Sequence, residues 1–567
     1  MGRAPQWGSL ADRMKDPSLR SWIFGSAAAL LLLAALAAVF WPRAADPRTS
    51  SQPADQAART AGTDSHGDAA SKAGLAAQES SASPLVTELA TAYSGVGVIP
   101  NEAILRFKSD AAYDAFLRRT RARGLTVVDS MKGSRALRVR FGRGSDLVRD
   151  IEENEADYEQ VGPNFLVQAP DLPVTEERAE QSERSFGNQA LDWIGAGDRD
   201  QWGQGVTVAV IDSGIAPHST FLDDRIQRID FTEGEIGFYD NADGHGTAVA
   251  SILGGEHPQA PGVAPASELL SYRITDASGA SDSFTLAKAI NAASEGGADV
   301  INVSLGSYGD SPLVLEAVER AYSNGTVVVA AAGNETYSEV AYPARYENVV
   351  AVGGVDAAGQ QLSFSNSGQA LDLAAPGLEV NAAWPQEQLI SMSGTSASAP
   401  FVAGAIAAVM SERPGTSAVE AAELLRANSN EAGAPGFDPA YGNGVLNVER
   451  ALRADQPGVY DVAVASNHFD PSYREESGAS AVQVVVENRG TETLSNIPLS
   501  VQSETTRRDY LISSLEPGAI AVRDFPFPGA EGDLTSSTAL ASGSLEVDAN
   551  SANNQRSTTI SSGPDSP

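Results

Sequence analysis

The chain has 567 residues, of which 42% are hydrophobic, and its formal net charge is −34. This length is too great for one hydrophobic core, so several domains are expected. The strong negative charge opposes binding to nucleic acid, and the lack of cysteine excludes disulfides, thiolate metal sites and a cysteine nucleophile.

The N-terminal part of the chain contains one long apolar segment. Residues 22–41 read WIFGSAAALLLLAALAAVFW and carry no charge. About 20 helical residues cross a bilayer core of roughly 30 Å, and the basic residues within 1–21 predict that this end is cytoplasmic. A cleaved signal peptide is the alternative, although FWPRAAD is a poor cleavage sequence. The sequence therefore predicts a single-pass cell-membrane anchor with the remainder extracytoplasmic, or a secreted protein if the anchor is cleaved.

The next three segments differ in composition. Residues 42–95 are rich in alanine, serine, aspartate and glutamine, and predict a disordered linker. Residues 96–170 show strand and helix patterns in the order β-α-β-β-α-β, which predicts a ferredoxin-like α+β unit. The polar run 171–189, DLPVTEERAEQSERSFGNQ, predicts a second linker and a region open to proteolytic processing.

Residues 190–455 alternate between apolar strands and helical segments. The strands are predicted at 205–212, 267–274, 298–306 and 325–333. Strands buried on both faces by crossover helices form a parallel α/β sheet, in which functional groups collect at the carboxyl ends of the strands. Residues 456–560 instead alternate apolar and polar side chains, up to a last predicted strand at 542–549. They predict an all-β sandwich, followed by the tail 561–567.

Three residues in the α/β region could catalyse a reaction together. Asp212 ends an apolar strand, where its charge needs a partner. His245 lies between two glycines at the start of the apolar helical run TAVASIL. Ser396 lies in SMSGTSASAPFVAG, where Pro400 places a helix start near the serine, so free N–H groups and the positive helix end face it. A nucleophile, a base and an orienting carboxylate are the components of a catalytic triad.

Each of these residues also has a structural interpretation. Asp212 could cap a turn, a single histidine is usually structural, and the small residues around Ser396 could let a buried helix pack closely. Asn334, which follows another apolar strand, is either a turn residue or an amide donor for a developing oxyanion. The presence of all four together favours catalysis.

The motifs around these residues resemble those of the subtilisin-like serine proteases, or subtilases. VAVIDSGI, DGHGTAVASIL and SGTSASAPFVAG match the aspartate, histidine and serine motifs in the order Asp, His, Ser. Further matches, such as INVSLGS, AAAGNE and SFSNSG, extend the resemblance over residues 190 to 453. It implies a subtilisin-like three-layer fold with a mainly parallel sheet, and a serine endopeptidase that hydrolyses polypeptide substrates.

The resemblance also implies residue roles. Asp212 would orient the base, His245 would be the general base and acid, and Ser396 would be the nucleophile that forms an acyl-enzyme. Asn334 would donate to the oxyanion. The family commonly has a second histidine at the position of Ala248, a departure that leaves the triad intact.

Substrate contacts are implied in the same way. The backbone strip expected to pair with substrate as an added strand comprises Ser304, Leu305 and Gly306. The wall of the specificity pocket would include Ala331 and Gly333, with Glu335 at its rim. No organic cofactor is required. Many subtilases bind structural calcium through a longer loop than the stretch 251–265 found here, so no metal site is assigned.

The two units that flank residues 190–455 also resemble known modules. The unit 96–170 resembles the subtilase propeptide, an intramolecular chaperone and inhibitor, which implies self-cleavage between 168 and 190. The β-sandwich resembles adhesion-type modules of bacterial surface proteins. The alternative is a catalytically inactive protease-fold scaffold or adhesion protein. Against it stands the retention of Asp212, His245, Asn334 and Ser396 with their flanking glycines.

Overall fold

The structure is a computed structural model, and it describes residues 83–169, 183–197, 200–232, 244–474, 480–527, 532–541 and 546–560. The predicted anchor at 22–41 lies outside these ranges, as does most of the predicted first linker. Within the described ranges, no helix is long and apolar enough to cross a membrane.

The N-terminal unit, residues 83–169, is an antiparallel sheet covered by helices. Its elements are α1 (Pro84–Ala92), β1 (Val98–Phe107), α2 (Asp110–Arg119), β2 (Leu125–Met131), β3 (Ala136–Phe141), α3 (Gly144–Glu153) and β4 (Tyr158–Gln168). The strands lie in the order β4-β1-β3-β2, and from β1 onward the elements follow the predicted order. Apolar side chains from strands and helices, among them Phe107, Phe116 and Ile151, form one core.

Helix α1 corrects the predicted linker 42–95 at its C-terminal end. Pro84 occupies the first turn of the helix, where a missing N–H costs nothing. Val86 and Leu89, three positions apart, are both buried in the core of the N-terminal unit. The helix therefore depends on this tertiary contact, to which Leu85 adds a partly buried side chain packed against the same core.

The central unit comprises the described residues between 183 and 453. Its helices are α4 (Ala190–Trp193), α5 (His245–Gly254), α6 (Ser283–Glu295), α7 (Pro312–Ser323), α8 (Thr395–Glu412), α9 (Ala418–Ala427) and α10 (Val448–Arg453). Its strands are β5 (Thr207–Asp212), β6 (Ile226–Asp230), β7 (Glu256–His257), β8 (Ala260–Pro261), β9 (Glu268–Arg273), β10 (Ala280–Asp282), β11 (Val300–Val303), β12 (Val327–Ala331), β13 (Val349–Val355), β14 (Leu373–Pro376), β15 (Val380–Trp384) and β16 (Gln388–Met392).

A seven-stranded parallel sheet, in the order β14-β13-β12-β11-β5-β9-β6, forms the middle layer of this unit. Strand β5 shows why both faces must be covered. Val208 and Val210 join one apolar cluster, together with residues of α5 and α8. Ala209 and Ile211 point the other way, into a second cluster that includes α6 and α7. The predicted three-layer fold with a mainly parallel sheet is thus confirmed.

The predicted linker 171–189 is wrong at its C-terminal end, because that part is already bonded to the central unit. Phe186 is buried, and its ring packs edge-on against Trp193 with the centroids 5.2 Å apart. Its backbone N–H donates to the Leu378 carbonyl at 3.1 Å, and Gly187 bridges to Val380. Phe186, an aromatic residue within a polar run, therefore fixes this segment to the central unit.

The C-terminal region is a two-sheet sandwich. Its strands are β17 (Val462–Arg474), β18 (Ser480–Asn488), β19 (Leu494–Ser503), β20 (Arg507–Leu515), β21 (Ile520–Pro526), β22 (Gly532–Thr538) and β23 (Gln555–Ile560). One sheet has the order β17-β18-β21 and the other β20-β19-β22-β23. Their inner faces share one apolar core.

The strand predicted at 542–549 is wrong over its described residues, 546–549. These form only a single bridge, between Tyr460 and Asp548. Asp548 Oδ1 accepts from the Asn550 N–H, and Asn550 Oδ1 accepts from the Ala552 N–H. Side chains that bond their own backbone in this way favour turns over strands.

Candidate active site

Asp212 and His245 are brought together at the carboxyl end of β5. Asp212 is fully buried, and its Oδ1 lies 2.8 Å from His245 Nδ1 while also accepting from the Ser213 N–H at 2.7 Å. A carboxylate only accepts hydrogen bonds, so Nδ1 must carry the proton. This contact holds the imidazole ring and directs Nε2 away from the carboxylate, as a general base requires.

The glycines beside His245 permit this close approach. A Cβ at Gly246 would lie 2.5 Å from the Gly214 carbonyl oxygen and 3.1 Å from Asp212 Cβ. A Cβ at Gly244 would lie 2.6 Å from the ring of Trp384. Any larger residue at either position would push α5 away from the end of β5, and His245 away from Asp212.

Ser396 is the second residue of α8, near the positive end of the helix. Gly394 caps the helix with φ of 121°, a conformation that residues with a side chain rarely adopt. Ser396 Oγ donates to the Ser304 carbonyl at 3.2 Å. The structure thus places the predicted nucleophile beside the predicted substrate strip.

Pro400 lies in the second turn of α8, whereas a helix start near Ser396 would place it in the first turn. A proline has no N–H, so the carbonyl four residues earlier, that of Ser396, loses its helical donor. Ser304 Oγ replaces it and donates to the Ser396 oxygen at 3.0 Å. The proline is tolerated because a neighbouring loop supplies the missing hydrogen bond.

Asn334 follows β12 and is buried against the start of α8. Its Oδ1 accepts from the Thr395 N–H at 2.9 Å and from Thr395 Oγ1 at 3.0 Å. An amide has one oxygen and one NH₂ group, so these bonds fix which end faces Thr395. Thr395 was not singled out from the sequence, although it lies inside the serine motif next to Ser396.

The predicted substrate strip follows β11, and it is occupied by the chain itself. Gln168, the last residue of β4, exchanges two backbone hydrogen bonds with Gly306, at 2.8 and 3.0 Å. On its other side β4 pairs antiparallel with β10. Ser304 and Leu305 are both buried next to this bridge. An extended backbone can therefore add to the strip as an extra strand.

The predicted pocket wall runs from the end of β12 to Glu335. Ala331 is buried in β12, and Gly333 has φ of 104°. Glu335 is half-buried rather than exposed at a rim, and Oε2 of its carboxylate accepts from the Asn334 N–H at 2.8 Å. Two further residues that were not predicted bond this carboxylate: Tyr308, and Asn366 of the SFSNSG motif.

Neither a second base nor a metal site emerges elsewhere in the described residues. His218 is buried, accepts from the Thr220 N–H at 3.1 Å and lies 3.2 Å from the Gln388 carbonyl, as a structural histidine does. No group of three or more His, Asp and Glu side chains in the described ranges is placed to hold a metal ion. A cavity of about 820 Å³ lies between the central unit and the sandwich, and none of the predicted site residues lines it.

The central unit is similar in sequence to known proteins. The sequence profile of the subtilase family matches residues 203–444. Subtilisin Savinase from Lederbergia lenta is 38% identical over 46% of this chain and 94% of its own length. Subtilisin DY from Bacillus licheniformis is 36% identical over 44% of this chain and 92% of its own length.

A solved structure shows the same fold. It is a serine-to-alanine mutant of the epidermin leader peptide processing serine protease from Staphylococcus aureus, with a TM-score of 0.52 and 21% identity. The match covers 62% of this chain and 98% of that one. The chain belongs to the subtilase family and is a subtilisin-like serine endopeptidase.

Proposed function

We propose that the protein is a membrane-tethered, extracytoplasmic endopeptidase that cleaves its own N-terminal unit, residues 83–169, from the central unit. The observation that carries the proposal is the bridge between Gln168 and Gly306, which lays the end of the N-terminal unit along the substrate strip. Because the pairing is antiparallel, the chain direction of β4 points along the strip from Gly306 toward Ser304. The Ser304 carbonyl accepts a hydrogen bond from the Ser396 hydroxyl.

The proposed reaction uses four side chains. Ser396 Oγ attacks the peptide carbonyl carbon, and His245 Nε2 takes its proton while Asp212 stabilises the imidazolium. The carbonyl oxygen becomes an oxyanion that accepts from Asn334 Nδ2 and from the Ser396 N–H. His245 then gives the proton to the leaving amine. Water hydrolyses the acyl-enzyme by the same proton path and regenerates the serine.

The N-terminal unit docks on α6 through a polar network, which suits an inhibitor. Asp282 caps α6, and it accepts from Arg138 Nη1 at 2.7 Å and from Asn164 Nδ2 at 3.0 Å. Asn164 Oδ1 in turn accepts from Ser283 Oγ at 2.9 Å and from the Phe284 N–H at 3.2 Å. The helix start is therefore bonded by side chains from both units.

Apolar packing accompanies this network. Ile104, Met131 and Val167 of the N-terminal unit belong to the same buried cluster as Phe284 and other residues of the central unit. Such packing supports the role of the N-terminal unit as an intramolecular chaperone, because it covers one layer of the central unit beside the substrate strip.

We place the proposed cleavage between residues 169 and 183. On one side Gln168 is bonded to Gly306, and on the other the Arg184 N–H donates to Asp356 at 2.9 Å. The intervening residues lie outside the described ranges. Cleavage there separates the central unit from the predicted anchor at 22–41, so we propose that tethering then depends on the docked N-terminal unit.

The test is the intact mass of the full chain beside its Ser396→Ala variant. We expect the wild type to yield two fragments that separate between 169 and 183, and the variant to stay whole. Ser398→Ala, which removes a buried hydroxyl two residues further along α8, is the matched control and should behave as the wild type. A fluorophosphonate probe should label Ser396 in the wild type and in the control.

Two outcomes contradict the proposal. Cleavage of the Ser396→Ala chain in the same region would assign processing to another protease. A wild type that stays whole and unlabelled would favour the second candidate, an inactive protease-fold scaffold, for which the C-terminal sandwich offers a binding module.

A further inference from the structure

Three polar side chains form a cluster behind Gly333, and none of them has a part in the proposed reaction. The cluster consists of Tyr308, Glu335 and Asn366. A Cβ at Gly333 would lie 2.8 Å from Glu335 Oε2 and 2.9 Å from Tyr308 Oη, and it would overlap Asn366 Nδ2. The cluster is therefore packed directly against the backbone of the predicted pocket wall, next to Asn334.

Asn366 fastens this stretch of backbone at three points. Its Nδ2 donates to the Ala332 carbonyl at 3.0 Å. Its Oδ1 accepts from the Glu335 N–H at 3.1 Å and from the Tyr337 N–H at 2.8 Å. The backbone before Asn334 and the backbone after it are therefore bonded to the same side chain, the amide of Asn366.

Glu335 connects the cluster to Asn334 itself. Its Oε2 accepts from the Asn334 N–H at 2.8 Å, from Asn366 Nδ2 at 3.0 Å and from the Tyr308 hydroxyl. No ion pair to Glu335 occurs among the residues that the structure describes. Three donors thus hold the carboxylate against the backbone, and Tyr308 is the one that reaches it from the loop after the substrate strip.

Tyr308 is suited to remain a donor. Its burial, followed by its hydrogen bond to Glu335, raises the pKa of the phenol, so it keeps its proton at any pH at which the enzyme could work. Its ring packs edge-on against Tyr337, with the centroids 5.0 Å apart. The hydroxyl is therefore fixed in place by a ring contact as well as by its bonds.

The side chain of Asn334 is fixed from the opposite direction by Thr395. Thr395 sets the orientation of the amide, while Glu335 sets the position of the backbone that carries it. A small shift of that backbone would move Nδ2 away from the place where the oxyanion forms, and hydrogen-bond strength falls steeply with geometry.

We propose that Tyr308 is a positioning residue for the oxyanion donor Asn334, acting through Glu335. This inference rests on the proposed function, in which Asn334 Nδ2 binds the oxyanion. Without the Tyr308 hydroxyl, the Glu335 carboxylate loses a charge-assisted hydrogen bond and can turn toward solvent. The Asn334 N–H then loses its acceptor, and the donor is less well placed in the transition state.

The test is Tyr308→Phe in the full chain, assayed with a peptide substrate after processing. We expect kcat to fall about 10-fold with KM nearly unchanged, because the oxyanion exists only in the transition state. Tyr337→Phe removes a hydroxyl from the neighbouring ring but keeps the ring contact, and it should retain kcat within about twofold.

A double-mutant cycle separates positioning from a general structural effect. Asn334→Ala should lower kcat by roughly 10²–10³. Adding Tyr308→Phe should then cause little further loss, because the donor that it positions is already absent. A further 10-fold loss in that background would overturn the inference, as would a wild-type kcat in Tyr308→Phe alone. If wild-type Ser396 is not labelled by the fluorophosphonate, the proposed function itself fails instead.

Discussion

The N-terminal unit and the C-terminal sandwich both dock on the central unit, but by different means. The N-terminal unit contributes Ile104, Met131 and Val167 to a buried cluster of the central unit. The core of the sandwich contains residues of the sandwich alone, and an open cavity of about 820 Å³ lies at its junction. Only eight residues, 454–461, join α10 to β17, and such a connection keeps two units at high effective concentration. A unit that is to stay bound after its peptide link is cut needs packing of its own.

The charges at the two junctions differ as well. At the sandwich, Glu487 is buried between Arg450 of α10 and Arg489, whose Nε donates to it at 2.9 Å. Glu487 Oε2 also accepts from the Glu431 N–H at 3.1 Å. At the N-terminal unit, Arg138 and Asp282 form one of three bridging ion pairs, beside Arg106 with Glu316 and Lys288 with Asp129, and all three pairs retain more exposure. A single substitution at the sandwich junction is therefore expected to lower the free energy of unfolding more than one at the junction of the N-terminal unit.

The largest expected effect is that of Glu487→Ala. Removing this carboxylate leaves the half-buried guanidinium groups of Arg450 and Arg489 without their ion-pair partner, which costs about 3 kcal/mol. The free energy of unfolding should be measured by denaturant titration in the Ser396→Ala background, which avoids autolysis. Glu504→Ala, an exposed position in the same sandwich, should change it by less than about 0.5 kcal/mol. A similarly small change for Glu487→Ala would mean that water reaches the junction.

A smaller effect is expected from Asp282→Asn at the other junction. Asparagine still caps α6, but it lacks the charge that binds Arg138, so the cleaved N-terminal unit should dissociate about 10- to 100-fold more readily. The measurement is the rate at which activity appears on dilution of the processed full chain, normalised to the final activity. Glu319→Gln, exposed on α7, is the control. An unchanged rate would show that the charge of Asp282 does not hold the unit, and that the apolar packing and the other polar contacts of the junction do.

The two junctions should also respond to acid in opposite directions. Burial raises the pKa of Glu431 to about 7, and the carboxylates of Glu487 and Asp438 add to this. Burial also opposes ionisation of Glu102, but hydrogen bonds from Arg138, Asn164 and Arg140 outweigh it and lower its pKa. Folding binds a proton at Glu431 between pH 4.5 and about 7, so stability falls as the pH rises through that window. The contribution of Glu102 is present above pH 4.5 and is lost only as the pH falls through its lowered pKa.

Glu431→Gln tests this difference with the smallest expected effect. A glutamine oxygen can still accept from the Gly436 N–H, as Glu431 Oε1 does at 2.9 Å. We expect the variant to raise Tm by about 2–4 °C at pH 8 and to leave it unchanged near pH 4.5, as measured by calorimetry of the Ser396→Ala chain. A gain of the same size at both pH values would point to a cause other than titration.

Much of the central unit could be predicted because its signals are local. The strand that ends in Asp212 is apolar on both faces because both are covered, and the positive φ of Gly394 is a property of that residue's own backbone. Asp212 ends β5 and His245 begins α5, whereas Asn334 lies three residues beyond the end of β12.

The features that were missed depend on contacts between distant parts of the chain. Helix α1 buries only Val86 and Leu89, so its pattern is too short to recognise without the sheet that it covers. Phe186 has no apolar neighbours in the sequence to mark it as buried. The link from Tyr308 to Glu335 joins residues 27 positions apart through side chains alone, and no periodicity reports such a bond.

The bridge between Gln168 and Gly306 has a kinetic consequence. Both residues belong to one polypeptide. Each enzyme molecule is therefore synthesised together with its first substrate, in a one-to-one ratio and already aligned with it. The proposed processing is then a first-order event, with a half-time that is independent of how many copies a cell makes. A single molecule could mature alone, whereas later substrates must arrive by diffusion and compete for a strip that the chain itself filled first.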